Sequence, residues 1–260
     1  MLRTPLLERY RTDDDAAVRR KLRDQINFLQ FLTVPFVRAL VTGGTGRVGS
    51  AIVARLELEG WQVFAAGRVH GDISRVESAR AVVRTAAEEL GGLDLLVHAA
   101  SDGFVPKPVE EVTEEDWDAA FGATAKGGFF VTQAAAALLR ESRGVVIMIE
   151  DVMGLEPWPS FAPHSAAKAA LSMLTKIFAR ALAPEVRVCG IAPGPVAVEP
   201  DQIERRAAES LLERIGTPDD VADAVVYLAG AEFVTGSTLV VDGGRLLKKT
   251  SAQSAQRLPT

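Results

Sequence analysis

Val37-Arg38-Ala39-Leu40-Val41-Thr42-Gly43-Gly44-Thr45-Gly46-Arg47-Val48-Gly49 runs from an apolar segment through a glycine-rich turn into an amphipathic one. Residues 37–42 read as a buried strand. Over 48–58, Val48, Ile52, Val53 and Leu56 share one helical face, and Gly60 ends the helix. A glycine turn between a strand and a helix lets the backbone approach a pyrophosphate. The helix start then offers free amides and a partial positive charge. The spacing therefore predicts a dinucleotide site built by Gly43, Thr45, Gly46, Arg47, Val48 and Gly49.

The same alternation continues downstream. Strands are expected over 61–66, 93–99, 145–149, 186–191 and 237–241, with helices over 75–90, 127–140 and 164–183 between them. Thr113 with Asp116, and Thr217 followed by Pro218, mark two further helix starts. A plausible helix lies over 201–212. Continuous apolar strands joined by crossover helices imply an α/β fold, a single-domain doubly wound parallel sheet (Rossmann-like). Only Val69-His70-Gly71 separates Arg68 from Asp72, whereas a parallel crossover needs a dozen or more residues. Six strands are predicted, without a third strand at the edge. Residues 1–35 form a charged N-terminal helical extension, 36–247 the dinucleotide-binding domain, and 248–260 a polar tail.

Composition excludes several functions. The 260 residues are 48% hydrophobic and carry a net charge of −5, so the basic footprint of nucleic-acid binding is missing. Apolar runs fall short of the ~18 residues that span a bilayer. The N-terminus mixes Arg with Asp and Glu, unlike a secretory or transit signal. These features predict a cytoplasmic protein with no nucleic-acid or membrane partner. One cysteine, Cys189, leaves no disulfide framework. No Cys/His/carboxylate cluster has metal-ligand spacing.

The end of the second strand bears on the cofactor. A carboxylate there would bond the ribose 2′-hydroxyl of NAD(H), and an arginine accommodates the 2′-phosphate of NADP(H). The chain reads Phe64-Ala65-Ala66-Gly67-Arg68, which favours NADP(H) and leaves NAD(H) possible.

In this order the pieces resemble the short-chain dehydrogenase/reductase family over roughly residues 37–246. Asp72-Ile73 looks like the family's adenine-contacting pair. His98-Ala99-Ala100 is similar to its Asn-Asn-Ala-Gly segment, although His98 also reads as a core histidine. Ser165-Ala166-Ala167-Lys168 resembles the stretch around its catalytic lysine. Pro193-Gly194-Pro195-Val196 and Asp242-Gly243-Gly244 match its two C-terminal signatures. The resemblance implies a small-molecule substrate, a homodimer or homotetramer, and hydride transfer to a carbonyl or imine. The Thr-Gly-x-x-Gly-x-x-Gly form of extended relatives, such as sugar-nucleotide epimerases, competes for the turn. Those carry a longer C-terminal substrate domain.

The departures concern the catalytic group. The family uses Tyr-x-x-x-Lys, with a Ser before it and an Asn on the preceding helix. Here the Tyr position is His164, the Ser position Asp151 and the Asn position Thr124; Lys168 alone is retained. Arg47 in the turn and Asp151 at the Ser position are pteridine-reductase-like features. In the family the lysine binds the nicotinamide ribose and favours the ionised tyrosine. His164 and Lys168 stand four apart and share one helical face. Histidine, with a reference pKa near ~6.5, is chemically suited to deliver a proton. Lys168 beside it favours neutral imidazole, and Asp151 favours imidazolium. Two readings follow: an NADP(H)-dependent reductase in which Asp151, His164 and Lys168 deliver the proton to a small, possible pterin-like substrate, or a non-catalytic NADP-binding protein with a degenerate site.

Overall fold

A computed structural model describes residues 37–102, 104–196 and 200–248. The chain divides into two units, 1–36 and 37–260, and all described residues belong to the second. The expected N-terminal helix and nearly all of the polar tail lie outside the described residues.

The glycine turn joins β1 (Arg38–Thr42) to α1 (Arg47–Leu58). Then follow β2 (Gln62–Ala66), α2 (Val76–Leu90), β3 (Leu95–His98), α3 (Glu114–Phe121), α4 (Gly127–Ser142) and β4 (Val145–Ile149). The described chain continues with α5 (Ala162–Leu182), β5 (Arg187–Pro193), α6 (Ile203–Ala207), α7 (Pro218–Gly230) and β6 (Thr238–Val241). The strands form a six-stranded sheet in the order β2-β1-β3-β4-β5-β6, with every pair parallel. As the short spacer predicted, no strand lies between β2 and α2. A single turn, Arg68–His70, carries the chain towards α2, and β2 is the sheet edge.

Strand residues alternate between the two faces. Leu40, Leu96, Val146 and Val188 pack with α2, α4 and α5, whereas Ala39, Val41, Leu95, Val97 and Ile147 pack with α1 and α7. Both faces are thus covered, and each fully buried Leu or Val adds about 1.5–3 kcal/mol of transfer free energy. Cys189 lies in the second layer, and burial pushes its thiol up from the ordinary value.

The two helix starts form as expected. Thr113 accepts the Asp116 amide while Asp116 bonds back to Thr113, and Thr217 with Asp220 repeats the arrangement ahead of α7. Each such cap is worth about 1 kcal/mol.

Two segments differ from the sequence reading. The helix expected over 201–212 ends at Ala207. Ser210 Oγ bonds the Ala207 and Arg214 carbonyls, offering the backbone an alternative to the helical ladder. Meanwhile α3 and α4 are joined through a π-helical turn, Gly122–Lys126.

Candidate active site

The candidate residues gather at the C-terminal ends of β1 to β5, where a doubly wound sheet opens. Two adjoining clefts, of about 570 Å³ and about 850 Å³, share Gly43, Gly46, Ala99 and Ser101. Arg47, Val48, Gly49, Asp151, His164, Lys168, Pro193, Gly194 and Val196 line the smaller cleft. Thr45, Arg68, Asp72, Ile73 and Ala100 line the larger.

The turn fits a phosphate group. Gly43 has a φ of +68°, and a Cβ there would stand 2.7 Å from the Ala100 nitrogen. A Cβ on Gly49 would stand 2.0 Å from the Gly43 oxygen. Glycine at both positions lets α1 begin directly under the turn. Gly46 precedes the first turn of α1, and no side chain caps that helix. Its leading amides are therefore left for an anion.

In the larger cleft, Arg68 at the end of β2 reaches Asp102 at 2.5 Å. The arginine is 85% exposed, so this pair adds little stability. Asp72 accepts the Ser74 amide at 3.0 Å, and bonds from Ser74 hold its carboxyl below the usual range.

The smaller cleft holds the catalytic candidates. Asp151 follows β4, and its Oδ1 accepts the Met153 amide at 2.8 Å. Its Oδ2 lies 3.4 Å from His164 Nε2, beyond a strong hydrogen bond. His164 and Lys168 stand one turn apart near the start of α5, and each is 4% exposed. Phe104 meets the imidazole edge-on at 4.9 Å and stacks on Phe161 at 4.6 Å. His164 Nδ1 is buried without a hydrogen-bond partner. Lys168 Nζ donates to the Ile149 carbonyl at 2.8 Å. Burial lowers its pKa, against the opposing fields of Asp151 and Glu150.

Two expected cofactor contacts are corrected. His98 lines neither cleft; it is fully buried. Its Nε2 donates to the Thr124 carbonyl and its Nδ1 faces the Thr42 hydroxyl, both at 2.9 Å. Burial pushes its pKa down to about 4, so it is a neutral, satisfied core histidine. Thr124 is buried behind the same strand, inside the π-helical turn, with its hydroxyl 3.1 Å from Ser101 Oγ. Hydrogen bonds to each other and to Thr42 and Ser101 hold both positions inward, and a motif match cannot show that.

The sequence reading missed part of the wall. Phe104 and Trp158 sit in loops without a periodic pattern. Arg206 and Arg245 meet only through the fold: their guanidinium carbons lie 5.6 and 4.3 Å from the Trp158 ring centre, and both pair with Glu209. Glu150 had a legible signal, an acid directly after an apolar strand. Of the two tyrosines, Tyr227 lies on the surface of α7, and Tyr10 is outside the described residues. Among the described residues no group of three or more His, Cys, Asp or Glu could hold a metal, and no helix is long and apolar enough to cross a membrane.

Comparison with known proteins agrees with this geometry. A family model described as Enoyl-(Acyl carrier protein) reductase matches residues 48–245. The chain is 33% identical over 243 residues to 3beta-hydroxysteroid dehydrogenase 1 of Eggerthella lenta, covering 80% of this chain and 93% of that one. It is 30% identical over 239 residues to dehydrogenase/reductase SDR family member 4 of Homo sapiens, covering 79% and 86%. Among solved structures, a blue fluorescent protein from a metagenomic library, in complex with NADPH, superposes with a TM-score of 0.72 at 27% identity, covering 80% of this chain and 96% of that one.

Proposed function

This chain belongs to the short-chain dehydrogenase/reductase family, and on that premise we propose that it is an NADPH-dependent reductase of a small carbonyl or imine compound. The observation that carries the reading is the grouping of Asp151, His164 and Lys168 at the floor of a cleft that continues into an uncapped glycine turn.

Gly43, Thr45, Gly46, Arg47, Val48 and Gly49 would hold the cofactor pyrophosphate against the start of α1. Arg68 would take the 2′-phosphate, and Asp72 with Ile73 the adenine. Ala99, Ala100, Pro193, Gly194 and Val196 would flank the nicotinamide end. When bound, the cofactor supplies a hydride to the carbonyl or imine carbon. His164 Nε2, facing Asp151, holds a proton and passes it to the substrate oxygen or nitrogen, leaving neutral imidazole. Asp151 orients the ring and offsets its charge. Lys168, kept as an ammonium, offers donors to the cofactor ribose. Phe104 and Trp158 give the cleft flat aromatic walls, which with Arg47 and Asp151 suits a planar, pterin-like ring.

A second reading rests on the 3.4 Å separation of His164 and Asp151 and the missing tyrosine: a protein that binds NADPH without turning it over. NADPH oxidation across a panel of pterins, quinones and ketones, with Lys168→Ala as control, separates the two. Turnover lost in the variant supports the reductase. Tight NADPH binding with no turnover on any substrate supports the second reading. A homodimer or homotetramer, burying exposed Met173 and Ile177 of α5, is part of the proposal and is read by the solution mass.

A further inference from the structure

Arg206 on α6 and Arg245 just after β6 line the smaller cleft beside Trp158. Backbone chemistry brings their two segments together. Asp242 Oδ1 accepts the Gly244 amide and Oδ2 the Leu246 amide, both at 2.8 Å, which fixes the turn that carries Arg245. The Gly243 carbonyl accepts the Leu211 and Leu212 amides at 2.9 and 3.1 Å. The chain after α6 is thereby tied to that turn, and Glu209 reaches both arginines.

The charges around this junction are unevenly placed. Arg206 Nη1 donates to the two Glu209 oxygens at 3.2 and 3.3 Å, and Arg245 Nε donates to Oε2 at 3.2 Å. Glu156 meets Arg245 Nη1 only at 3.5 Å and is 42% exposed, so that pair adds little. Two guanidiniums thus share one close carboxylate, although their side chains are only 16% and 11% exposed. Packing like charges together out of water is costly, and contact with the Trp158 ring offsets part of that cost. Among the described residues, Arg206 Nε and Nη2 and Arg245 Nη2 have no hydrogen-bond partner. None of these nitrogens is sealed in the interior. Both arginines line the cleft, whereas Glu209 and Glu156 do not. Positive charge and spare donors therefore face the cleft, with the acids outside its lining.

We propose that Arg206 and Arg245 recognise a carboxylate on the substrate, so that the cleft takes flat aromatic acids bearing a reducible carbonyl or imine. A guanidinium fork matches a planar carboxylate, and Trp158 beside it supplies a surface for the ring. Arg47 and Lys168, also in this cleft, are given to the cofactor above, which leaves the arginine pair to the substrate. The word substrate rests on the reductase reading, but the anion site is readable by binding without turnover.

The test is titration calorimetry on the full chain saturated with NADPH, using naphthoate and its neutral isostere naphthamide. Naphthoate should bind at least about tenfold tighter, as one charge-assisted hydrogen bond allows. Arg206→Gln should bring the two within about threefold while NADPH affinity stays within about threefold of the wild type. Glu209→Gln should widen the preference for naphthoate, because it removes the acid that competes for the guanidiniums; if the arginines only fasten the segment after α6, this variant narrows it. Equal binding of the two probes, a preference that survives Arg206→Gln, or one that narrows in Glu209→Gln overturns the proposal. Should Arg206→Gln fail to fold, the direction of the change in Glu209→Gln decides. NADPH oxidation with a formylnaphthoate and its methyl ester separates the two readings. Turnover of both aldehydes with equal KM keeps the reductase and overturns the carboxylate site. No turnover of either, with the binding preference intact, counts against the reductase and leaves the site standing.

Discussion

Replacing His164 by Gln or by Phe should remove proton delivery without removing the fold. The His164 ring is nearly enclosed, and its Nδ1 has no partner. An unsatisfied buried nitrogen costs about 1–3 kcal/mol, so a phenyl ring in the same space, against Phe104, loses no strong hydrogen bond. Asp151 keeps its bond from the Met153 amide and gives up only a 3.4 Å neighbour. The melting temperature of His164→Phe is therefore expected to equal or exceed that of the wild type. General acid catalysis contributes about 10²–10⁴-fold, or roughly 3–5 kcal/mol at 1.36 kcal/mol per tenfold. Loss of NADPH absorbance under single-turnover conditions should slow by that factor in both variants. NADPH affinity, read by fluorescence, should change less than about threefold, because His164 is not among the groups given to the cofactor. A chemical step within about threefold of the wild type would remove His164 from the mechanism. So would a loss accounted for wholly by weaker NADPH binding.

Gly49→Ala brings a methyl to 2.0 Å from the Gly43 oxygen, so α1 must shift. Overpacking of about 1–3 kcal/mol should lower the melting temperature by several degrees and weaken NADPH binding. Gly46→Ala, whose Cβ would lie 3.3 Å from the same oxygen, should leave the melting temperature within about two degrees yet weaken NADPH at least tenfold; equal thermal losses would count against this assignment of the turn. Because burial lowers the pKa of Lys168 and its ammonium is the donor given to the cofactor ribose, NADPH affinity is full below that pKa and weakens as pH rises through it. The alkaline loss of affinity should set in below the ordinary lysine value of about 10.4 and vanish in Lys168→Arg. Asp102→Asn releases Arg68 from an exposed pair and should tighten NADPH by no more than about fivefold, with NADH unchanged; an equal gain for both cofactors would separate Arg68 from the 2′-phosphate.

The fold was legible because its signals are local. The 37–49 stretch, the apolar strands, the two threonine caps and the short spacer after Arg68 each follow from neighbouring residues, and together they imply six parallel strands. The floor of the site was legible too, since residues four apart on a helix must share a face. The walls were not. Phe104, Trp158, Arg206 and Arg245 come from separate segments that meet only in the folded chain. His98 and Thr124 erred the other way. A motif aligned them with cofactor contacts, while their hydrogen bonds to each other and to Thr42 and Ser101 turn them inward.

His164 and Asp151 make most sense as linked changes beside Lys168. A tyrosine acid is neutral when loaded and anionic when spent, so a neighbouring ammonium assists it. A histidine acid is cationic when loaded, and the same ammonium opposes it. Asp151, 3.4 Å from the imidazole, supplies the opposite charge. The arrangement then suits histidine. His164→Tyr alone should not raise activity, because the Asp151 charge would oppose formation of the phenolate. NADPH oxidation faster in His164→Tyr than in the wild type would show that the two positions are independent, and that Asp151 does not serve the histidine.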